Sequence, residues 1–148
     1  MSQLNGVFSL RTPEDLLAKL DADSRRFRAA HPTSLEAQYA AFDFFVTAEH
    51  LVDWTAAATG ESKSSLRSYG CGSLVSHVAN GAKHFRADIR RQHTVSQTGS
   101  AGAFQAGAFQ PDAFDVERLV IDLEDGSTVN VADVADQVLV HWRTRLQP

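Results

Sequence analysis

Apolar residues recur at helical spacing in the first part of the chain. Leu16, Leu17, Leu20 and Phe27 form one stripe, as an amphipathic helix requires. Thr12 reads as its N-cap, with Pro13 at the first helical position and Glu14 and Asp15 near the positive end of the dipole. His31 precedes Pro32 and is pushed out of the helical region, so the helix should end near Ala30. Thr33 to Glu36 reads as a capping box that opens a second helix, running to about Ala58. Between Tyr39 and Ala48 this helix is apolar almost all round, broken only by Asp43 and Thr47, which predicts a central place in a bundle. Gly60 to Ser65 is a polar break. The turn Gly70-Cys71-Gly72 leads to a third helix, with Ser73 as its cap. Leu74, Val78, Ala82, Phe85 and Ile89 share one face of it, and it should fade near His93.

Residues 94–117 follow another rule. Ala101-Gly102-Ala103-Phe104-Gln105 is followed by Ala106-Gly107-Ala108-Phe109-Gln110, then by Ala113-Phe114 at nearly the same step. A period of five suits neither helix nor strand and is too short for a solenoid unit. The expectation is an ordered loop whose phenylalanines dock on the bundle. Beyond it Leu119, Ile121 and Leu123 alternate, Asp125-Gly126 is a hairpin turn, and Thr128 to Val131 alternates again. Val134, Val138, Leu139, Trp142 and Leu146 mark a closing helix. Trp54 and Trp142 read as core anchors.

The expected fold is mostly α: a helical bundle of three to four helices with a long ordered loop and a C-terminal β-hairpin, an α+β tail. A single domain is expected over 1–148. It comprises a loosely held arm (1–10), the bundle (12–93), the loop (94–117), the hairpin (118–131) and the closing helix (132–146).

Composition narrows the class. With 148 residues, 43% of them apolar and 22% charged, the chain can bury a core and is not of disordered or low-complexity type. It has no apolar run near the ~20 residues of a membrane span, and Met1 to Leu10 lacks the pattern of a secretory signal. A soluble cytoplasmic protein is expected, with no membrane partner. The lone Cys71 cannot form an intrachain disulfide or a thiolate zinc cluster. A net charge of -4 argues against general nucleic-acid binding, but the charge is uneven. Acid is concentrated between Asp112 and Asp136, and base in Lys83, Arg86, Arg90 and Arg91. RNA could therefore meet the Lys83–Arg91 patch.

Two polar stripes carry the candidate chemistry. On the second helix Asp43, Thr47 and His50 project within about 60° of each other, and Asp53 continues that side. On the third helix Ser73, His77, Asn80 and His84 do the same. If the stripes faced each other, His50, Asp53, Asn80 and His84 would form a catalytic set, with a carboxylate orienting an imidazole as general acid or base. Asp43, His77, Lys83 and Arg86 would serve as ligand- or partner-binding residues. His50, Asp53 and His84 could alternatively hold a divalent metal, although no cofactor is expected. Structural roles weigh heavily too: His50 could bond Asp43 or Asp53, and the stripe on the third helix could be a plain solvated face.

The segments Phe44-Phe45-Val46-Thr47-Ala48-Glu49-His50-Leu51-Val52-Asp53-Trp54 and Asn80-Gly81-Ala82-Lys83-His84-Phe85 resemble those of a group of small uncharacterised bacterial proteins with FFxTAxHLxDW and NGAKHF helices. The Ala-Phe repeats and the stretch Leu119 to Leu146 resemble them as well. A looser similarity links the chain to HEPN-type helical domains of bacterial toxins and defence systems. Active members of that class cut RNA with an Arg-x(4–6)-His motif, which Arg86 to His93 and Arg26 to His31 match. Where a basic-acidic pair would stand, this chain has Ser76-His77. The main expectation is an interaction module that binds a protein or itself. The alternative is a HEPN-like ribonuclease or other hydrolase.

Overall fold

The computed structural model describes residues 4–85, 95–101 and 118–148. Helix α1 spans Pro13–Ala29 and begins as the sequence predicts. The Thr12 hydroxyl accepts from the Asp15 amide at 3.1 Å, and the Asp15 carboxylate accepts from the Thr12 amide at 3.0 Å. Helix α2 spans Leu35–Thr59, but Thr33 does not cap it. The Thr33 hydroxyl lies 2.9 Å from Nδ1 of His31, so Ser34 takes the cap and accepts from the Ala37 amide at 3.2 Å. Gly60 ends α2 in the left-handed region, with φ +78, a conformation that glycine adopts without a Cβ penalty.

Inside the predicted polar break, Ser62 caps a single turn, α3 (Lys63–Leu66). Helix α4 spans Gly72–His84, and Cys71, not Ser73, stands at its cap. A Cβ on Gly72 would sit 1.8 Å from the Arg67 carbonyl oxygen, so the turn from α3 to α4 demands glycine here. The helix stops well short of His93. Phe85 leaves it with φ +65 and is 92% exposed instead of joining the apolar face. Ile89 and His93 lie outside the described residues.

The expected loop over 94–117 contains a strand. β1 (Val95–Ala101) pairs antiparallel with β2 (Arg118–Leu123), which pairs with β3 (Thr128–Asn130) in the order β1-β2-β3. Val95-Ser-Gln-Thr-Gly-Ser-Ala has one large apolar residue and no apolar alternation, so only its pairing with β2 reveals it. The phenylalanines of the repeat lie outside the described residues. The β2–β3 hairpin turns at Asp125-Gly126 as expected, with Gly126 at φ +89. Asn130 then caps α5 (Val131–Leu146) by accepting from the Ala132 amide. The chain is thus mostly helical, with a small antiparallel sheet near its C-terminus.

Trp142, Phe44, Leu20, Leu51 and Ile121 are at most 2% exposed and centre the core. Trp54 packs partly buried against it. Helix α1 runs antiparallel to α2, since Lys19 meets Thr47 and Arg26 meets Asp43. It is also antiparallel to α5, through Asp21–Arg143 and Arg28–Asp136. Helix α2 is not enclosed on all sides: Leu35, Tyr39 and Phe42 are more than half exposed.

Residues 4–10 are more organised than a loose arm. Val7 and Leu10 exchange two backbone hydrogen bonds across a tight turn. Gly6 has φ +73, and a Cβ there would meet the Leu10 carbonyl oxygen at 2.1 Å. The Arg11 guanidinium donates to the Asn5 carbonyl at 2.7 Å. At the turn, Phe8 holds φ +53, which costs a bulky side chain about 1–2 kcal/mol.

The α1–α2 seam is anchored by Asp23, which is 3% exposed. It accepts from Lys19 at 2.7 Å, from the Thr47 hydroxyl at 3.1 Å and from Arg26 at 3.3 Å. Asp23→Ala leaves those donors without their shared acceptor and should cost about 2–4 kcal/mol in urea denaturation. Asp43→Ala, at the exposed rim of the same seam, should cost about 1 kcal/mol or less.

Candidate functional site

The two polar stripes point in different directions. Asp43 and Thr47 face α1, where Arg26 reaches Asp43 at 3.0 Å. Asp53 pairs with Lys63 at 2.9 Å, and His50 is exposed. On α4, His77 is buried and its Nδ1 accepts from the Val95 amide at 3.0 Å, pinning β1 to the helix. Asn80 is half-buried, while Lys83 and His84 are exposed at the helix end.

Helices α2 and α4 are antiparallel. Glu49 meets Ser76 at 3.4 Å, whereas Gln38 and Phe42 share a groove with Gly81 and Phe85. His50 is next to Glu49, and His84 is two turns beyond Ser76, ~12 Å along the axis. The predicted set His50, Asp53, Asn80 and His84 is therefore not brought together. Spacing fixes angles within one helix and not which face meets a neighbour. Among the described residues no group of three His, Cys, Asp or Glu side chains could hold a metal ion, so His50, Asp53 and His84 are not a ligand set. Arg86 and most of the Lys83–Arg91 patch lie outside the described residues.

Two buried polar features have structural roles. Glu49 accepts from Arg67 at 2.6 Å, joining α2 to the end of α3. Burial pushes its carboxyl above the usual range, against the pull of Arg67. The Tyr69 ring stacks on His141 with centroids 3.9 Å apart and planes 7° from parallel. Cys71 is buried, and burial pushes its thiol up to about 11, far from the lowered value of a reactive thiolate.

An apolar groove of about 690 Å³ lies between the first half of α2, the last turns of α4 and the sheet. Phe45, Leu119 and Ile121 are among its buried apolar residues, and Tyr39 and Phe42 are exposed aromatics of α2 at 59% and 52%. Gln38, Ser96, Gln97 and Thr98 add polar groups. None of the described lining residues is Asp, Glu, Lys or Arg. Among the described residues β1 pairs with β2 alone, so its other edge is open apart from the His77 bond. A second cavity, of about 670 Å³, lies between the start of α4, the hairpin and α5, and it sets Arg118 and Asp133 among its walls.

Sequence reasoning missed Tyr39 and Phe42 as surface residues because α2 is apolar all round. Their spacing with Leu35 at steps of four and three was the available signal. No protein-family model, curated protein or solved structure matches the chain.

Two outcomes check these assignments. Cys71 should resist N-ethylmaleimide in the native state at neutral pH and react stoichiometrically in denaturant. Burial also lowers the pKa of His141. The unfolded chain then binds that proton more readily, so stability present at neutral pH is lost as pH falls through the ordinary histidine range, around 6.5. The melting temperature of His141→Phe, which keeps a ring against Tyr69, should fall less between pH 7.5 and 5.5 than that of the wild type.

Proposed function

We propose that this chain is an interaction module, and that the groove between α2, α4 and β1 docks an apolar, aromatic-bearing segment of a protein partner. The groove, whose described lining holds no Asp, Glu, Lys or Arg, supports the reading. Its exposed aromatics stand on a helix face that a bundle helix would ordinarily bury. Aromatic side chains in desolvated pockets carry most of the energy of typical protein interfaces. Among the described residues β1 pairs with β2 alone, and its other edge adds main-chain donors and acceptors that can orient a docked segment.

The ribonuclease alternative has less support: His50 and His84 are apart, the Arg86 to His93 motif lies outside the described residues, and in the Arg26 to His31 match Arg26 is held by Asp23 and Asp43. No helix among the described residues is long and apolar enough to cross a membrane.

A library of displayed random peptides tests the reading. The wild type should enrich uncharged segments bearing an aromatic residue. Phe42→Asp should weaken them about thirtyfold, the ~2 kcal/mol of a hot-spot aromatic. Its melting temperature should stay close to that of the wild type because Phe42 is half exposed. Absence of enrichment, or equal binding to Phe42→Asp, overturns the proposal.

A further inference from the structure

A second apolar feature lies at the other end of the molecule. Phe8 is 91% exposed, with the exposed Leu4 and Val7 beside it. This is not the chance exposure of a loose tail. The Val7–Leu10 turn, the left-handed Gly6 and the Arg11–Asn5 bond hold the ring out on a backbone conformation that bulky residues avoid. Such local strain is kept where the presentation of a side chain matters, and a preorganised knob loses little freedom when it binds. Met1 to Leu10 contains no charged side chain, which matches a groove whose described lining has no Asp, Glu, Lys or Arg.

Knob and groove are complementary, yet they are apart within one chain. The arm abuts the first turn of α1, where the Arg11 amide donates to Asp15. The groove opens on the first half of α2, which lies beside the other end of α1 because the two helices are antiparallel. The 17 residues of α1 put ~26 Å between those ends.

We infer that the partner of the groove is a second copy of this chain, which seats Phe8 of its N-terminal arm against Tyr39 and Phe42. The inference rests on the docking role proposed for the groove and names its occupant. Reciprocal exchange of arms about a two-fold axis closes the assembly as a dimer, and each groove is incomplete without the other copy's ring.

Light scattering over a concentration series reads the assembly. The wild type should approach twice the single-chain mass of 16.1 kDa. Phe8→Asp and Phe42→Asp should each stay at the single-chain mass and keep the wild-type circular-dichroism spectrum, melting below the wild type only at concentrations where the wild type is assembled. An equimolar mixture of the two should associate again, because one copy retains an intact groove and the other an intact arm. Phe8→Gly, which removes both ring and strain, should melt slightly higher and still fail to associate.

A wild type that holds the single-chain mass at millimolar concentration overturns the inference. If Phe42→Asp loses association while Phe8→Asp keeps it, the arm is not the occupant, although the groove reading stands. If neither substitution changes the mass of an associating protein, arm and groove are both excluded. Cross-linking of residues 102–117 to position 42 within the Phe8→Asp monomer would show the groove filled from its own chain and would equally overturn the inference.

Discussion

A carboxylate removed from water must find donors, and Asp23 finds Lys19 and Arg26 on its own helix and the Thr47 hydroxyl across the α1–α2 seam. Its bond to Thr47 holds α1 and α2 antiparallel at one register, because a slip of a single turn would part the two buried groups. Arg26 extends the same contact to Asp43 at the rim. Asp43 and Thr47, half of the polar stripe of α2, are used in this seam.

With that side of α2 committed to α1, its remaining faces are assigned by rotation. Glu49 turns toward Arg67 and Ser76, tying in the short helix α3 and then α4. Phe44 and Leu51 enter the core around Trp142. Among the described residues, Tyr39 and Phe42 are left on a face that the edge of the sheet and the end of α4 approach. The groove is thus a consequence of packing elsewhere: α4 ends at His84, the sheet begins at Val95, and α2 supplies more apolar surface than its neighbours cover. The antiparallel register that Asp23 sets also places the Phe8 turn at the far end of α1. One buried carboxylate therefore separates the two uncharged surfaces that a second copy would join.

Much of the architecture was legible from local chemistry. Thr12, Pro13 and Asp15 determine how α1 starts, because a cap, a fixed φ and an acidic side chain act within four residues. Asp125-Gly126 determines the hairpin turn for the same reason. Where the reading slipped, a contact invisible in local sequence intervened. Thr33 was diverted by His31, β1 needed β2 to be seen as a strand, and α4 gave way at Phe85 although its apolar spacing continues to Ile89.

The candidate site shows the same division. The sequence by itself determined that Asp43 and Thr47 share one face of a helix, that His77 and His84 share one face of another, and that α2 has apolar surface on nearly every side. These are angular facts, and 3.6 residues per turn is enough to settle them. Only the tertiary structure decided what each face meets. It gave Thr47 to Asp23, Asp53 to Lys63 and His77 to the backbone of β1, and it left His50 and His84 apart. The physical reason is that helix rotation and register are chosen by the sum of buried contacts over the whole core, to which a few polar side chains contribute but which they do not control.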